Sequence, residues 1–549
     1  MAIQQMLIGL GAAREKGWVF KNVMGASDST NLIGGSYASA CSVAIDGDEN
    51  VYYAHVAQVI TSGSNYSARM SYLTKLNKEG TFQWSKALRH QQPQFVNNSL
   101  PLHGPSITCD SSGDVYIVYT RKGHAVDYDS IYTEKRNSSG VRQWGKQTRI
   151  KSNNKNSVAV DIFVDGSNNL FIMGFQNNNN SSQGDIGRKV WIAQLNRMTG
   201  ARLKATFCGR TYTGGNAQWN KNEYGLQSCG LAHDGTNLIV AYFSNDNGYN
   251  GSGGSSPSAT LSSVQIQHFS HSGSSFGNLR SRYASYNGQN NGAHSYDTGI
   301  LAVSSTGEVI HLSSMYRNIN FGSGTYIIMD QFNGSDHGTQ YAFRKNTLFG
   351  LNKTNNNNIT PWYGSNCRGL KFDPEDDNIL YMCAWGICDS SGRYGFSLLK
   401  LTRSSVSADW GIDKVMSVFT TFGEESLYWP SDDYSNRNAM EMKGDFLYVC
   451  SRPPTSGNAN PRRAGMVFKI HKKLDDSGTY GDIILVQNNT NIFDINPGNL
   501  NTNRGGNSNM QMQTETPTFG DWNNLEAYNG SDDNGIPYTG ATKTVTQTG

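Results

Sequence analysis

The chain has 549 residues, a formal net charge of +3, 37% hydrophobic and 16% charged residues, and 60 glycines against 13 prolines. An aromatic share of 11% with so little net charge argues against a disordered chain and for an all-β protein with many turns. No apolar run approaches the roughly 20 residues of a membrane-spanning helix, and the densest positive loop, RPPTSGNANPRR at 452–463, is too sparse for a nucleic-acid footprint.

The chain opens MAIQQMLIGLGAAREKG, which lacks the positive n-region of a cleaved secretion signal. Ile3, Met6, Leu7, Ile8 and Leu10 are apolar, and Gln4 and Gln5 are the only polar residues before Gly11. The opening MAIQQML resembles that of virion proteins from marine tailed bacteriophages, notably cyanophage tail and appendage proteins, over about 13 residues. The resemblance implies a docking arm, with Ile3, Met6, Leu7, Ile8 and Leu10 as the virion-docking residues, and other virion proteins as partners. Residues 1–35 are assigned to this arm and a possible closing strand: GWVFKNVMG, from Gly17, resembles the outer-strand phrases QWSKAL and QWGKQT found later in the chain. Trp18–Lys21 is therefore expected to pair as an outer strand near the last repeat. The alternative is that DIILVQ (482–487) alone completes that repeat.

From residue 36 a phrase recurs. SVAIDGDENVYYAH (42–55) returns as PSITCDSSGDVYIVYT (105–120) and SVAVDIFVDGSNNLFIMGF (157–175). Turns of this kind start at Asp46, Asp110, Asp165, Asp234, Ser304, Asp373 and Met442, with spacings of 64, 55, 69, 70, 69 and 69 residues. Each joins an apolar stretch to a run rich in Val, Ile, Tyr and Phe, the mark of a β-hairpin. A second hairpin follows each first one, from SYLTKLNKEGTFQWSKAL (71–88) to VFKIHKKLDDSGTYGDIILV (467–486). The unit is four short strands, and a lone sheet of that size cannot cover both its faces. Stacking the sheets radially does. The sequence predicts a seven-bladed β-propeller over 36–487, with the acidic-glycine turns on one face.

The connections at the opposite ends of the strands are long and rich in Asn, Gly and aromatics, as in RTYTGGNAQWNKNEYG (210–225), NNNNITPWYGSN (355–366) and EESLYWPSDDYSNR (424–437). Long loops on a rigid scaffold are where binding concentrates. Trp219, Trp362, Tyr363, Tyr428, Trp429 and Tyr434 are the candidate binding face, with flat rings suited to a sugar or a protein partner.

Catalytic and metal signatures are weak. The eleven histidines do not pair at metal-ligand spacing, and the eight cysteines are spread singly. No nucleophile elbow or P-loop occurs. Asp46-Gly47-Asp48-Glu49 has too few ligands for a calcium loop and reads as a hairpin turn. The turns lack the Ser and Trp of the sialidase box. NKEGTFQW and NSSGVRQW resemble the outer-strand motif of quinoprotein dehydrogenases, yet only two of seven repeats keep the Trp, which is read as packing between sheets. No catalytic residue, metal or cofactor is assigned. The tail, 488–549, is asparagine-rich and weakly patterned, and is expected to be extended, mobile in isolation, with ordering against neighbours reserved for the assembled virion.

The resulting expectation is a phage virion structural protein of the tail or a fibre-like appendage, assembled in the host cytoplasm and presenting its loop face to a host surface glycan, a host protein or a neighbouring subunit. No enzymatic activity, nucleic acid or membrane insertion is expected. The alternatives are a propeller enzyme acting on surface polysaccharide, which calls for carboxylates converging on the axial mouth, and a stand-alone lectin.

Overall fold

The computed structural model describes residues 17–21, 39–60, 67–88, 105–121, 130–150, 155–178, 189–208, 230–246, 261–286, 294–319, 322–332, 343–351, 366–387, 394–420, 439–451, 466–475, 477–480, 483–488, 493–497, 502–503, 519–524 and 541–543. Among them there is no α-helix, and the strands form seven antiparallel sheets. Blade one is Ser39–Ile45, Val51–Ile60, Ser67–Leu76 and Phe82–Ala87, ordered from the axis outward. Blade two follows with Ser106–Cys109, Val115–Arg121, Ser130–Arg136 and Arg142–Ile150, and blade three with Lys155–Val164, Leu170–Asn178, Lys189–Leu195 and Arg202–Cys208. Gly230–His233, Leu238–Asp246, Leu261–Ser270 and Gly277–Tyr286 make blade four; His294–Val303, Val309–Ile319, Gly322–Phe332 and Phe343–Leu351 make blade five. Blade six is Asn366–Asp373, Asp376–Ile387, Tyr394–Thr402 and Gly411–Thr420. The innermost strands touch in order around the ring, and that of blade seven touches that of blade one. The fold is the seven-bladed β-propeller the repeats predict.

Blade seven takes three strands from its own repeat, Met440–Lys443, Phe446–Ser451 and Met466–His471, and its fourth from Trp18–Lys21, paired Trp18 to Lys469 and Lys21 to Met466. This agrees with the expected closing strand. The reading of 467–486 as one hairpin is corrected: Ile483–Asn488 lies on the outer edge of blade six, beside Gly411–Thr420. The physical reason is packing. Trp18 and Phe20 are buried in a cluster that joins Tyr448 and Val467 of blade seven to Val43, Val51 and Tyr53 of blade one.

Both faces of each blade are covered, so second strands read as near-continuous apolar runs. Val115 to Tyr119 is buried throughout. The other clusters likewise join neighbouring blades, such as Tyr116 and Trp144 of blade two with Ile162, Leu170 and Trp191 of blade three.

The described strands after residue 488 pair with blades of their own chain. Phe493–Pro497 adds to the outer strand of blade five, Thr502–Asn503 to blade four, Phe519–Asn524 to blade two and Ala541–Lys543 to Trp18–Lys21 of blade seven. With Ile483–Asn488 on blade six, the belt runs round the rim against the blade order. The sheets thus draw on residues either side of the 36–487 repeat region. An added strand satisfies the outward N–H and C=O groups that an edge otherwise presents.

Candidate functional site

The first-to-second and third-to-fourth turns lie at one end of the ring, and their polar groups bond to one another. Asp46 Oδ1 accepts from the amides of Asp48 (3.0 Å) and Asn50 (2.8 Å), closing its turn, while Oδ2 accepts from Tyr52 Oη at 3.1 Å. Asp110 repeats this with Ser112, Asp114 and Tyr116. Tyr381 donates to Asp373 in blade six. Short polar side chains that bond to the backbone two to four residues on are what such turns require. Burial first, then the charge of Asp46, raises the Tyr52 phenol far above its ordinary range, so it stays a donor.

Cations from the next blade complete these carboxylates. Arg197 of blade three reaches Asp110 of blade two at 2.9 Å; Arg403 of blade six reaches Glu308 of blade five at 2.6 Å; Lys472 of blade seven reaches Asp373 of blade six at 3.5 Å. Tryptophans work the same seam from the outer strands. Trp18 Nε1 donates to Lys78 O (2.9 Å), Trp84 to Ser138 O (3.1 Å) and Trp144 to Arg197 O (2.9 Å), each reaching the third-to-fourth turn of the following blade. In blade three Lys204 holds the equivalent position and donates to the carbonyls of His271 and Gly273 of blade four. The short-turn face is therefore a structural seam. The expected packing role of the tryptophans agrees with this geometry.

One place on the seam departs from the repeat. In blade three Phe171 stands where blades one and two have Tyr52 and Tyr116, so Asp165 Oδ2 has no phenol to accept from. Like Asp46 Oδ2 from Asn50, it accepts from Asn169 Nδ2, at 2.7 Å, and His233 Nε2 of blade four lies 3.6 Å away. His271, at the end of the third strand of blade four, brings its Nε2 to 2.9 Å from that of His233. One ligand atom from each of the three residues falls within 4.8 Å of the others. Phe163 and Phe171 stack on the His233 ring at 6.2 and 6.4 Å, and Phe171 meets His271 edge-on at 5.0 Å. Burial holds His233 below its ordinary value, with Asp165 pulling the other way and His271 reinforcing the fall, so the ring is neutral near pH 7. The sequence reading missed this grouping because its members come from two blades, 68 and 38 residues apart in sequence. The available signal was the repeat itself: His233 stands where blades one to three carry Ile45, Cys109 and Val164, and His271 where they carry Lys78, Ser138 and Arg197.

The other predicted site residues lie outside the described residues: Ile3, Met6, Leu7, Ile8 and Leu10 of the arm, and Trp219, Trp362, Tyr363, Tyr428, Trp429 and Tyr434 of the loops. Antiparallel order does fix which end of the ring the loops join. They connect the strand ends remote from the short turns.

No family model matches the chain, and no curated protein matches it. Solved structures with a similar course include a periplasmic gluconolactonase of Pseudomonas aeruginosa, 10% identical with a TM-score of 0.38, covering 73% of this chain and 96% of that one. A Dyadobacter fermentans protein of unknown function is 8% identical with a TM-score of 0.39, covering 83% and 98%. The NanB sialidase of Streptococcus pneumoniae is 11% identical with a TM-score of 0.38, covering 82% and 70%. Likeness at this level concerns the shape of the chain and carries no activity with it.

Proposed function

We propose that the chain is a structural protein of a tailed-phage virion, in the tail or a fibre-like appendage, attached by its N-terminal arm and presenting the long-loop face to a host surface molecule or a neighbouring subunit. The observation that carries this reading is the direction of Trp18–Lys21. Trp18 sits at the short-turn end of blade seven, bonded to the Lys78 carbonyl of a blade-one turn, and Lys21 points the chain toward the loop end. Residues ahead of Trp18 therefore join the ring from the short-turn side. The chain thus enters this strand at the end of the ring opposite the strand ends that the loops connect, as an adaptor between particle and target requires.

Two features support the polarity. Asp110, Glu308 and Asp373 on the short-turn face are engaged by cations of neighbouring blades, which favours the loops for recognition. The exposed large apolar side chains among the described residues, Val141, Met198, Leu203, Leu279 and Val406, lie in or beside third-to-fourth turns, on the arm side. Burying several arm side chains stabilises an attachment by about 1.5–3 kcal/mol each at most.

The test is deletion of residues 2–13, which leaves Trp18–Lys21 in place. The truncated protein is expected to fold, with unchanged far-UV circular dichroism, and to be missing from particles assembled in its presence. Normal incorporation would overturn attachment by the arm.

A further inference from the structure

We propose that Asp165, His233 and His271 form a binding site for one divalent transition-metal ion, of the zinc class, that clips blade three to blade four on the short-turn face. Two imidazoles and a carboxylate are the donor set that zinc and cobalt(II) accept, with one position left for water. Four ligands about 2.0–2.1 Å from a tetrahedral ion lie roughly 3.3 Å from one another. Two of the three separations, 2.9 Å between the two Nε2 atoms and 3.6 Å from His233 Nε2 to Asp165 Oδ2, bracket that edge, and the third, between His271 and Asp165, is within 4.8 Å.

Outer contacts orient the donors, as metal ligands need. The Asn169 amide donates to Asp165 Oδ1 at 2.7 Å and its side chain to Oδ2, fixing the carboxylate plane. Phe163 and Phe171 hold the His233 ring between aromatic neighbours, and Lys204 ties the His271 backbone to blade three. A tyrosine at 171 would satisfy Asp165 as Tyr116 satisfies Asp110. Phe171 cannot donate in that way, and Oδ2 is left facing a histidine.

Without an ion, the same groups make a hydrogen-bonded chain. The Gly235 amide donates to His233 Nδ1 at 3.0 Å, so the neutral ring carries its proton on Nε2 and donates it to His271 Nε2. Ligation through Nε2 moves that proton to Nδ1 and sacrifices the Gly235 contact, one hydrogen bond against three metal–ligand bonds. Loading should therefore alter the amide of Gly235.

The experiment titrates the full chain with Co²⁺ and, separately, Zn²⁺. The control is the double variant His233→Val and His271→Ser, which restores residues that other blades carry at these positions (Val164 and Ser138) and so is expected to fold. The wild-type protein should bind one Co²⁺ per chain with visible d–d bands and no thiolate-to-metal charge-transfer band, which separates this site from the cysteines. Zn²⁺ at about a hundredfold excess over its dissociation constant should raise the melting midpoint by a few degrees, and the double variant should show neither effect. Equal Co²⁺ binding by wild type and variant, or no d–d bands in the wild type, would overturn the site and leave the hydrogen-bonded chain as the whole role of these residues.

Discussion

At the residue scale, the most consequential ionisable group in the core is His55 of blade one. Its ring lies between Tyr53 and Tyr72, with centroids 5.4 and 5.3 Å away, and it is fully buried. Burial pushes its pKa down to about 3. The unfolded chain, with an ordinary histidine near 6.5, then binds more protons than the folded one throughout the window between the two values. Stability is accordingly full above about pH 6.5 and is lost as the pH falls through that window, at about 1.4 kcal/mol per unit, or roughly 2 kcal/mol by pH 5. Urea unfolding at pH 7 and pH 5 checks this. His55→Phe, which keeps a ring between the tyrosines, should reduce the pH-dependent loss by about that amount; an identical loss in the variant would show that other groups carry it. Nothing in SVAIDGDENVYYAH announced this behaviour. The strand is buried on both faces from Val51 to His55, so its pattern does not single out position 55, and the tyrosines that stack on the ring come from two strands.

At the scale of the element, the recurring device is a tryptophan on one blade laid over a glycine in the turn of the next. Each third-to-fourth pairing of blades one to six carries one register shift near the turn, and such a bulge re-aims the following side chain. Gly200 has φ +67° and a Cβ there would meet the Trp144 ring at 2.6 Å. Gly200→Ala therefore combines a left-handed backbone with a steric clash and should destabilise by about 2–4 kcal/mol. Trp144→Phe keeps a ring over the glycine but loses the bond to Arg197 O, a change of about 1 kcal/mol. Denaturant unfolding of the two variants gives the order, and a smaller effect for the glycine change would mean that the ring does not press on it. This device was partly legible. NKEGTFQW and NSSGVRQW displayed Trp84 and Trp144, and GWVFKNVMG displayed Trp18, because identical residues recur at one repeat position. Lys204 was hidden, since a lysine at that position makes the same contact with different chemistry. The Asp165, His233 and His271 grouping was hidden for the opposite reason: spacing along a chain reports ligands on one element, whereas these meet only when blades three and four stack.

On the scale of the whole molecule, the ring is held at blade seven by the two ends of the described chain. Trp18–Lys21 supplies the fourth strand, and Ala541–Lys543 pairs along its outer side after the belt has passed the rim of blades six, five, four and two. The number of blades and the closing strand were readable, because repeat spacing and the GWVF phrase are local signals. The belt was not, because its asparagine-rich segments have too little apolar alternation to declare a strand and gain their order from the edges they cover. The two closures should fail differently. Deleting residues 2–21 removes Trp18 and Phe20 from the cluster between blades seven and one, uncovering an apolar seam at the place where the ring closes, so that variant is expected to aggregate or lose its cooperative melt. Deleting residues 489–549 removes pairing only along outer edges. That variant should remain folded with native near-UV circular dichroism, melt several degrees lower, and show faster amide exchange in Phe343–Leu351, whose outer side Phe493–Pro497 covers. Unchanged exchange there would mean that the added strand does not pair in solution. A cooperative, unshifted melt for the 2–21 deletion would show that closure does not depend on the N-terminal strand. The contrast matters for attachment as well. Since the 2–13 deletion spares the closing strand, its failure to enter particles can be assigned to the arm and not to an opened ring.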